Sequence, residues 1–468
     1  MGATLLANLR QIVGDTHVLT DGDLSPWELD WRRRERGKAL AVVRPVNTAE
    51  VAAVVKACVA GGVSIVPQGG NTGMVVGSTP DTSGTQIVLS LQRMQQVRTL
   101  DTANMTITVE AGCILQQVQS VSQQAGFLFP LRMASEGSCT LGGNLATNAG
   151  GTQVLRYGNT RELCLGLEVV TPHGDIWDGL SGLRKDNTGY DLRHLLIGSE
   201  GTLGIITAAV MRLYPLPVTQ LTAMAAVPSL EAAIQLLGLA HQCLHAGLTG
   251  FEVMNPFALS LVKKHFTQVQ VPFLHANYCV VLENSDHESD AHAVSRFETL
   301  LQTALDQGFV TDAIVAQNTT QARALWHVRE CIPLAQALEG LNIKHDISIA
   351  VSRIPAFVQH TNSLLELHHP GVRLVNYGHL GDGNLHYNVQ APELVDAADF
   401  LSTHEADINT LVYDAVTQFR GSISAEHGIG SLKRDKLAHY KSATALNMMR
   451  SIKNALDPNG TLNPKRVL

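Results

Sequence analysis

The chain has 468 residues, 45% hydrophobic and 16% charged, which provides cores for two or three domains at roughly 100–200 residues each and excludes global disorder. A net charge of −7 and a pI near 6.2 argue against a nucleic-acid binder and leave room only for a local basic pocket. The seven cysteines are scattered singly with no C-x-x-C pair, so they read as reduced thiols in a reducing compartment.

Residues 1–13 have the spacing of an amphipathic helix (Leu5, Leu6, Leu9, Ile12) with one arginine and no cleavage site, unlike a secretory or transit segment. No run approaches the ~18 apolar residues of a membrane span, and a cytoplasmic protein is expected. Residues 39–44 predict a strand ending at Pro45. Residues 48–60 predict a helix with Thr48 as N-cap and Glu50 in its first turn. A buried strand at 63–66 leads into Pro67-Gln-Gly-Gly-Asn-Thr-Gly73, and strands follow at 86–90 and 106–110, with a helix over 114–124. Further strands are expected at 163–170 and 205–214. Residues 215–217 mark a boundary. Beyond it, strands such as 278–282 alternate with helices at 230–246 and 290–307, the pattern of an α+β sheet with helices on one face. A helix at 442–456 and a Pro/Gly/Asn-rich tail end the chain.

Many of the 40 glycines fall in three clusters: Gly69-Gly70-Asn71-Thr72-Gly73, residues 142–151, and Gly198-Ser199-Glu200-Gly201-Thr202-Leu203-Gly204. Glycine lets backbone N–H groups approach phosphate oxygens and permits the positive φ of anion nests. Any one cluster reads equally well as a tight turn; together they point to a large cofactor. The cofactor is not a Rossmann-bound nicotinamide. Gly198, Gly201 and Gly204 lack the G-x-G-x-x-G spacing, and no acidic residue on a following strand fits the ribose.

The second signal is Gly378-His379-Leu380-Gly381-Asp382-Gly383-Asn384-Leu385-His386-Tyr387-Asn388, with Ser424-Ala425-Glu426-His427-Gly428-Ile429-Gly430. A turn over 380–384 returns His379 and His386 to one place across a hairpin, and the two-residue step puts His386 and Asn388 on one sheet face. Two imidazoles and the Glu426 carboxylate form a three-ligand set that leaves metal positions open for substrate. Asp382 is a candidate fourth ligand, but turn capping is the preferred reading.

The ordered glycine loops, with Asp186-Asn-Thr-Gly-Tyr-Asp191, resemble the FAD-binding domain of the vanillyl-alcohol oxidase / p-cresol methylhydroxylase superfamily over residues 38–217 and again at the C-terminus. The histidine motifs narrow the resemblance to its D-2-hydroxyglutarate / D-lactate dehydrogenase branch, which includes the FAD subunit of glycolate oxidase. The resemblance implies an α+β protein in four parts. These are an N-terminal helical segment (1–37), a two-subdomain FAD-binding domain (38–217), a substrate and metal domain with an antiparallel sheet (218–420), and a C-terminal segment (421–468) packing back on the FAD domain.

By the same resemblance, Gly69, Gly70, Asn71, Thr72 and Gly73 hold the FAD pyrophosphate. Thr140, Gly143, Asn144 and Thr147 line the flavin and phosphates, and Gly201 and Ile205 meet the adenine. Pro67, Gly77, Ser78, Glu136, Gly137, Gly142, Gly150, Glu200, Gly204 and Asn463 complete the cofactor set. Residues 61–80 contain no histidine or cysteine, so the FAD is expected to be non-covalent. His379, His386 and Glu426 are implied metal ligands, with zinc preferred over manganese. His427 is the implied base, Asn388 touches substrate, and Arg329 and Lys344 grip a distal carboxylate, a job that suits an arginine fork. Pro333 stands where hydroxyglutarate enzymes can carry a hydroxyl that helps bind that carboxylate.

The reaction implied is oxidation of D-2-hydroxyglutarate, and of D-malate as a second substrate, with hydride passing from C2 to flavin N5. The alternative is a D-lactate or glycolate dehydrogenase. A reading from another class, an electron-transfer or assembly flavoprotein, sits badly with an intact Glu426-His427 pair. Expected partners are the hydroxy acid and an electron-transfer flavoprotein or quinone-linked carrier, with a homodimer compatible with the sequence.

Overall fold

The structure, a computed structural model, describes residues 2–468. Met1, at the start of the expected N-terminal helix, lies outside the described residues, and that helix runs Gly2–Val13. The chain divides into two compact units. One comprises the residues up to Gly150, Tyr157–Leu216 and Glu426–Leu468; the other comprises Gly151–Arg156 and Pro217–Ala425.

The first unit has two larger sheets and the short antiparallel pair Phe127–Leu128 / Tyr214–Pro215. In the smaller, the strands run in the order Val18–Leu19, Ala39–Val43, Gln86–Ser90, Ile65–Gln68. Its last three strands are parallel, so their near-continuous apolar character fits a sheet buried on both faces. The helix Thr48–Gly61 makes the crossover from Ala39–Val43 to Ile65–Gln68, which run parallel on either side of Gln86–Ser90. Leu5, Leu9 and Val13 of the N-terminal helix join Val51, Val54, Val55 and Cys58 in one core.

The N-cap of the crossover helix corrects the sequence reading. Asn47, not Thr48, takes the extended cap conformation, and its side chain accepts from the Glu50 amide at 2.8 Å. Thr48 is already helical, and its hydroxyl donates to Glu168 Oε1 at 2.5 Å. Of two adjacent cap-competent residues, the one with a second buried partner lies inside the helix.

The larger sheet is antiparallel throughout, in the order Val97–Asp101, Thr106–Glu110, Ile205–Arg212, Cys164–Val170, Ile176–Gly179. The chain end returns to the smaller sheet. The Ile65 amide donates to Thr461 and the Asn463 amide donates back to Ile65, which adds a short parallel bridge at Leu462.

The second unit is built on one antiparallel sheet. Its order is Asp312–Val315, Thr219–Val227, Tyr278–Asp286, Leu248–Met254, Arg373–Gly378, Asn384–Gln390, Asn342–Ile343, with Asp346–Ser348 also paired to Asn384–Gln390. Both faces are covered, whereas the sequence suggested helices on one. Met224, Met254, Cys279 and Val281 pack in one core with residues of the helices Pro256–His265 and Thr319–Glu339. Phe251, Val253, Val280 and Leu282, on the alternate positions, are just as buried. The helices Leu230–Leu244 and Asp290–Asp306 contact these strands as well. The physical reason is visible in Cys279-Val280-Val281-Leu282, where an unbroken apolar run replaces the alternation of a half-solvated strand.

Candidate active site

In the first unit the glycine loops pack backbone against backbone. A Cβ on Gly70 would lie 2.2 Å from the Ser138 carbonyl, and one on Gly69 would lie 2.2 Å from Thr140 Oγ1. Asn71 sits at φ 53°, and its amide donates to the Leu29 carbonyl at 2.9 Å and accepts from Ser78 Oγ at 3.0 Å. These two side chains shape the first loop. Thr140 precedes the helix Leu141–Thr147, which contains Gly142, Gly143 and Asn144 and closes with Thr147 Oγ1 on the Gly143 carbonyl. Thr140 Oγ1 and Asn144 Nδ2 are buried with no hydrogen-bond partner in the protein. Buried polar atoms are normally satisfied, so two orphans beside a glycine cradle fit a site whose ligand brings its own polar groups.

Pro67 closes against Gly201, where a Cβ would lie 3.2 Å from its ring. Gly204 leads directly into the strand that begins at Ile205. Gly137 lies near Gln116, and the Glu136 carboxylate accepts from Gln119 at 3.3 Å. Gly73 faces open space, Thr72 is half-buried, and Gly150 is the last residue before the chain first leaves the unit. Glu200 does structural work. Its carboxylate accepts from the amides of Ile429 and Gly430, both at 2.7 Å, and so clasps the turn that follows His427. Asn463 donates to the Gly77 and Glu200 carbonyls at 2.9 and 2.8 Å.

In the second unit the hairpin Arg373–Gly378 / Asn384–Gln390 brings His379 and His386 together, with ring centroids 5.6 Å apart. Gly378 and Gly383 take positive φ at the turn, and Asp382 Oδ1 caps it by accepting from the Asn384 amide. His386 pairs across the sheet with Tyr377 on one side and Asp346 on the other. Its Nδ1 lies 3.9 Å from Asp346 Oδ1. Asp346 and His386 present ligand atoms within 4.8 Å of one another, close enough to share an ion. Asp346 Oδ2 also accepts from the amide of Ala425, the last residue of the unit. Glu426 and His427 are the next two residues in the chain and open the last segment of the first unit.

On the neighbouring strand, Val253 pairs with Gly378 and Met254 with Tyr377. Continuing that register sets Glu252 opposite His379. The Glu252 carboxylate is fully buried and meets His379 Nδ1 at 2.5 Å and Arg329 Nε at 2.7 Å. Burial alone would raise its pKa, but His379 and Arg329 together hold it down at about 2. Arg329, on the helix Thr319–Glu339, also lies over the Tyr377 ring at 4.7 Å. Pro333 is inside that helix, one turn on, where it cannot supply the N–H that would bond the Arg329 carbonyl.

Asn388 donates to Gln336 at 2.9 Å and accepts from the His345 amide at 3.1 Å, which fixes its orientation. Lys344, half-buried, lies in the short link between Asn342–Ile343 and Asp346–Ser348. The second unit thus gathers His379, His386, Arg329 and Asn388 on adjoining elements. The sequence reading missed Glu252 and Asp346. Glu252 did leave a signal, as a lone carboxylate in the otherwise uncharged strand Leu248–Met254.

Comparison with known proteins gives this arrangement its family. Residues 216–467 match the C-terminal domain of FAD linked oxidases, and residues 39–179 match an FAD binding domain. The chain belongs to the FAD-linked oxidase family. It is therefore an FAD-dependent oxidoreductase. It is 38% identical to a D-2-hydroxyglutarate dehydrogenase of Xanthomonas citri pv. viticola, covering 99% of this chain and 96% of the relative. It is also 38% identical to the mitochondrial D-2-hydroxyglutarate dehydrogenase of Bos taurus, over 99% and 83%. Among solved structures, p-cresol methylhydroxylase with substrate bound superposes with a TM-score of 0.78 at 16% identity, covering 99% of this chain and 96% of that one. At that identity the likeness speaks for the fold. It agrees with the α+β architecture of an FAD-binding part and an antiparallel-sheet part.

Proposed function

We propose that this flavoenzyme oxidises D-2-hydroxyglutarate, with D-malate as a second substrate, to the 2-oxo acid, using non-covalent FAD and a divalent metal. The observation that carries the substrate choice is Arg329, a buried guanidinium tied through Glu252 to the same site as His379. Full-length similarity to hydroxyglutarate enzymes supports it. When bound, FAD supplies a two-electron acceptor for the C2 hydride, and the metal a Lewis acid at the substrate hydroxyl.

The chain's own residues do the rest. His379, His386 and Glu426 hold the metal, and Asp346 is added as a carboxylate beside His386. Mixed nitrogen and oxygen donors suit zinc, with manganese as a replacement. With Nδ1 occupied by Glu252, His379 would coordinate through Nε2. His427 takes the hydroxyl proton. Arg329 and Lys344 bind the distal carboxylate, so remote binding energy becomes orientation. Asn388 contacts the substrate from its fixed position. The electron acceptor in this reading is an electron-transfer flavoprotein or a quinone-linked carrier. Seven free cysteines support a reducing, cytoplasmic setting.

The second reading, a D-lactate or glycolate dehydrogenase, is favoured by Pro333, which offers no hydroxyl near the diacid clamp. Arg329→Lys separates the two. It keeps a charge for Glu252 but loses the planar fork. A lost charge-assisted contact of roughly 1.5–3 kcal/mol lowers kcat/KM by about one to two powers of ten. We expect that loss for D-2-hydroxyglutarate, with D-lactate turnover little changed. Equal losses for both substrates would give the lead to the lactate/glycolate reading.

A further inference from the structure

We infer that Glu252 is a positioning residue that sets the orientation of His379 and Arg329 together, so that metal ligation and distal-carboxylate recognition depend on one buried side chain. The inference rests on the metal and clamp roles proposed above for these two residues. Glu252 is fully buried, and its two oxygens are divided between the partners. Oε1 meets His379 Nδ1, and Oε2 meets Arg329 Nε. The three residues come from separate elements, a strand, a helix and a hairpin turn, so no local constraint would align them.

Burying a carboxylate is costly, and a well-packed apolar residue is often neutral or better for stability. What a carboxylate adds is direction. By accepting from Nδ1 it fixes the imidazole's tautomer and turns Nε2 outward as the ligand atom, the arrangement that metal-binding histidines commonly use. By accepting from Nε it fixes the plane of the guanidinium, which also lies over the Tyr377 ring. Tyr377 in turn touches the His386 ring at 4.8 Å and is its cross-strand partner. Arg329, Glu252, His379, Tyr377 and His386 therefore form one contiguous set within the second unit.

The test is Glu252→Gln, which keeps the shape but offers one acceptor oxygen and places an NH2 against the other donor. Zinc affinity is measured on FAD-loaded protein by competition with a chromophoric chelator, alongside FAD content and KM for D-2-hydroxyglutarate. The expected result is zinc affinity reduced about 10–100-fold, as for other partners behind a metal-binding histidine. KM should rise about tenfold and FAD content stay unchanged. Wild-type zinc affinity and KM in the variant would overturn the inference. Should Glu252→Gln not fold, Glu252→Asp replaces it, keeping the charge on a shorter arm. Weaker zinc binding and a raised KM are again expected, and wild-type values again overturn the inference. If the wild-type protein itself binds no zinc or manganese, the metal reading fails and the His379 half of the inference with it. A KM unchanged by Glu252→Gln then overturns the Arg329 half.

Discussion

Glu200 belongs to the cofactor set that the resemblance implies, and in the fold its carboxylate accepts from the amides of Ile429 and Gly430. Burial raises its pKa, and those two amides work in the opposite direction. Glu200→Ala would leave both amides in a half-buried turn without this partner, at a cost of about 1–3 kcal/mol. Urea unfolding should show that loss, with Glu200→Gln, which retains one acceptor oxygen, losing less. An alanine variant as stable as wild type would contradict the clasp. At this scale, what the sequence revealed depended on local spacing. His379 and His386 are seven residues apart and announce themselves. Glu252 lies 127 positions from His379 and 77 from Arg329, so its partners emerge only when the strand register is known.

Elements with strong local signals were legible. The 373–390 hairpin follows from glycines at a turn flanked by apolar alternation, and the crossover helix from its apolar run and Gly62, which closes it at φ 60°. What was not legible was competition between near-equal choices, such as Asn47 against Thr48, and the second covered face of the large sheet.

Glu339 shows how these elements are joined. Its carboxylate meets Lys264 at 2.6 Å and His265 at 2.7 Å on one helix, and Arg373 at 2.7 Å on a strand. Burial pushes its pKa up, but the three hydrogen bonds bring it from an ordinary 4.5 down to about 2. Because the folded value is depressed, the stabilisation is fully present above about pH 4.5 and is lost as pH falls toward 2. Lys264 is largely exposed, so screening leaves roughly 1–2 kcal/mol. Glu339→Gln should therefore be less stable than wild type at pH 7, and the gap should narrow in urea titrations below pH 4.5. A gap that stays constant or widens on acidification would assign the loss to packing.

On the scale of the whole molecule, the residues named in the proposal are distributed over both units along the chain. The glycine loops, Glu426 and His427 belong to the first, and Arg329, Lys344, His379, His386 and Asn388 to the second. The long ordered series of motifs made the family legible, because a flavin cradle and a histidine hairpin each demand particular residue types in fixed order. Substrate length was not legible, because on the proposed reading it depends on Arg329, whose partners Glu252 and Tyr377 come from distant strands.

The central claim, metal-assisted oxidation of a D-2-hydroxy acid by bound flavin, is tested most directly by anaerobic mixing in a stopped-flow spectrometer. D-2-hydroxyglutarate should bleach the visible flavin absorbance of metal-loaded protein while its L-enantiomer does not. Chelator-treated protein that retains its FAD should lose the reaction and regain it with zinc or manganese. Bleaching at the same rate by metal-free protein, or no bleaching with any D-2-hydroxy acid, would contradict the account.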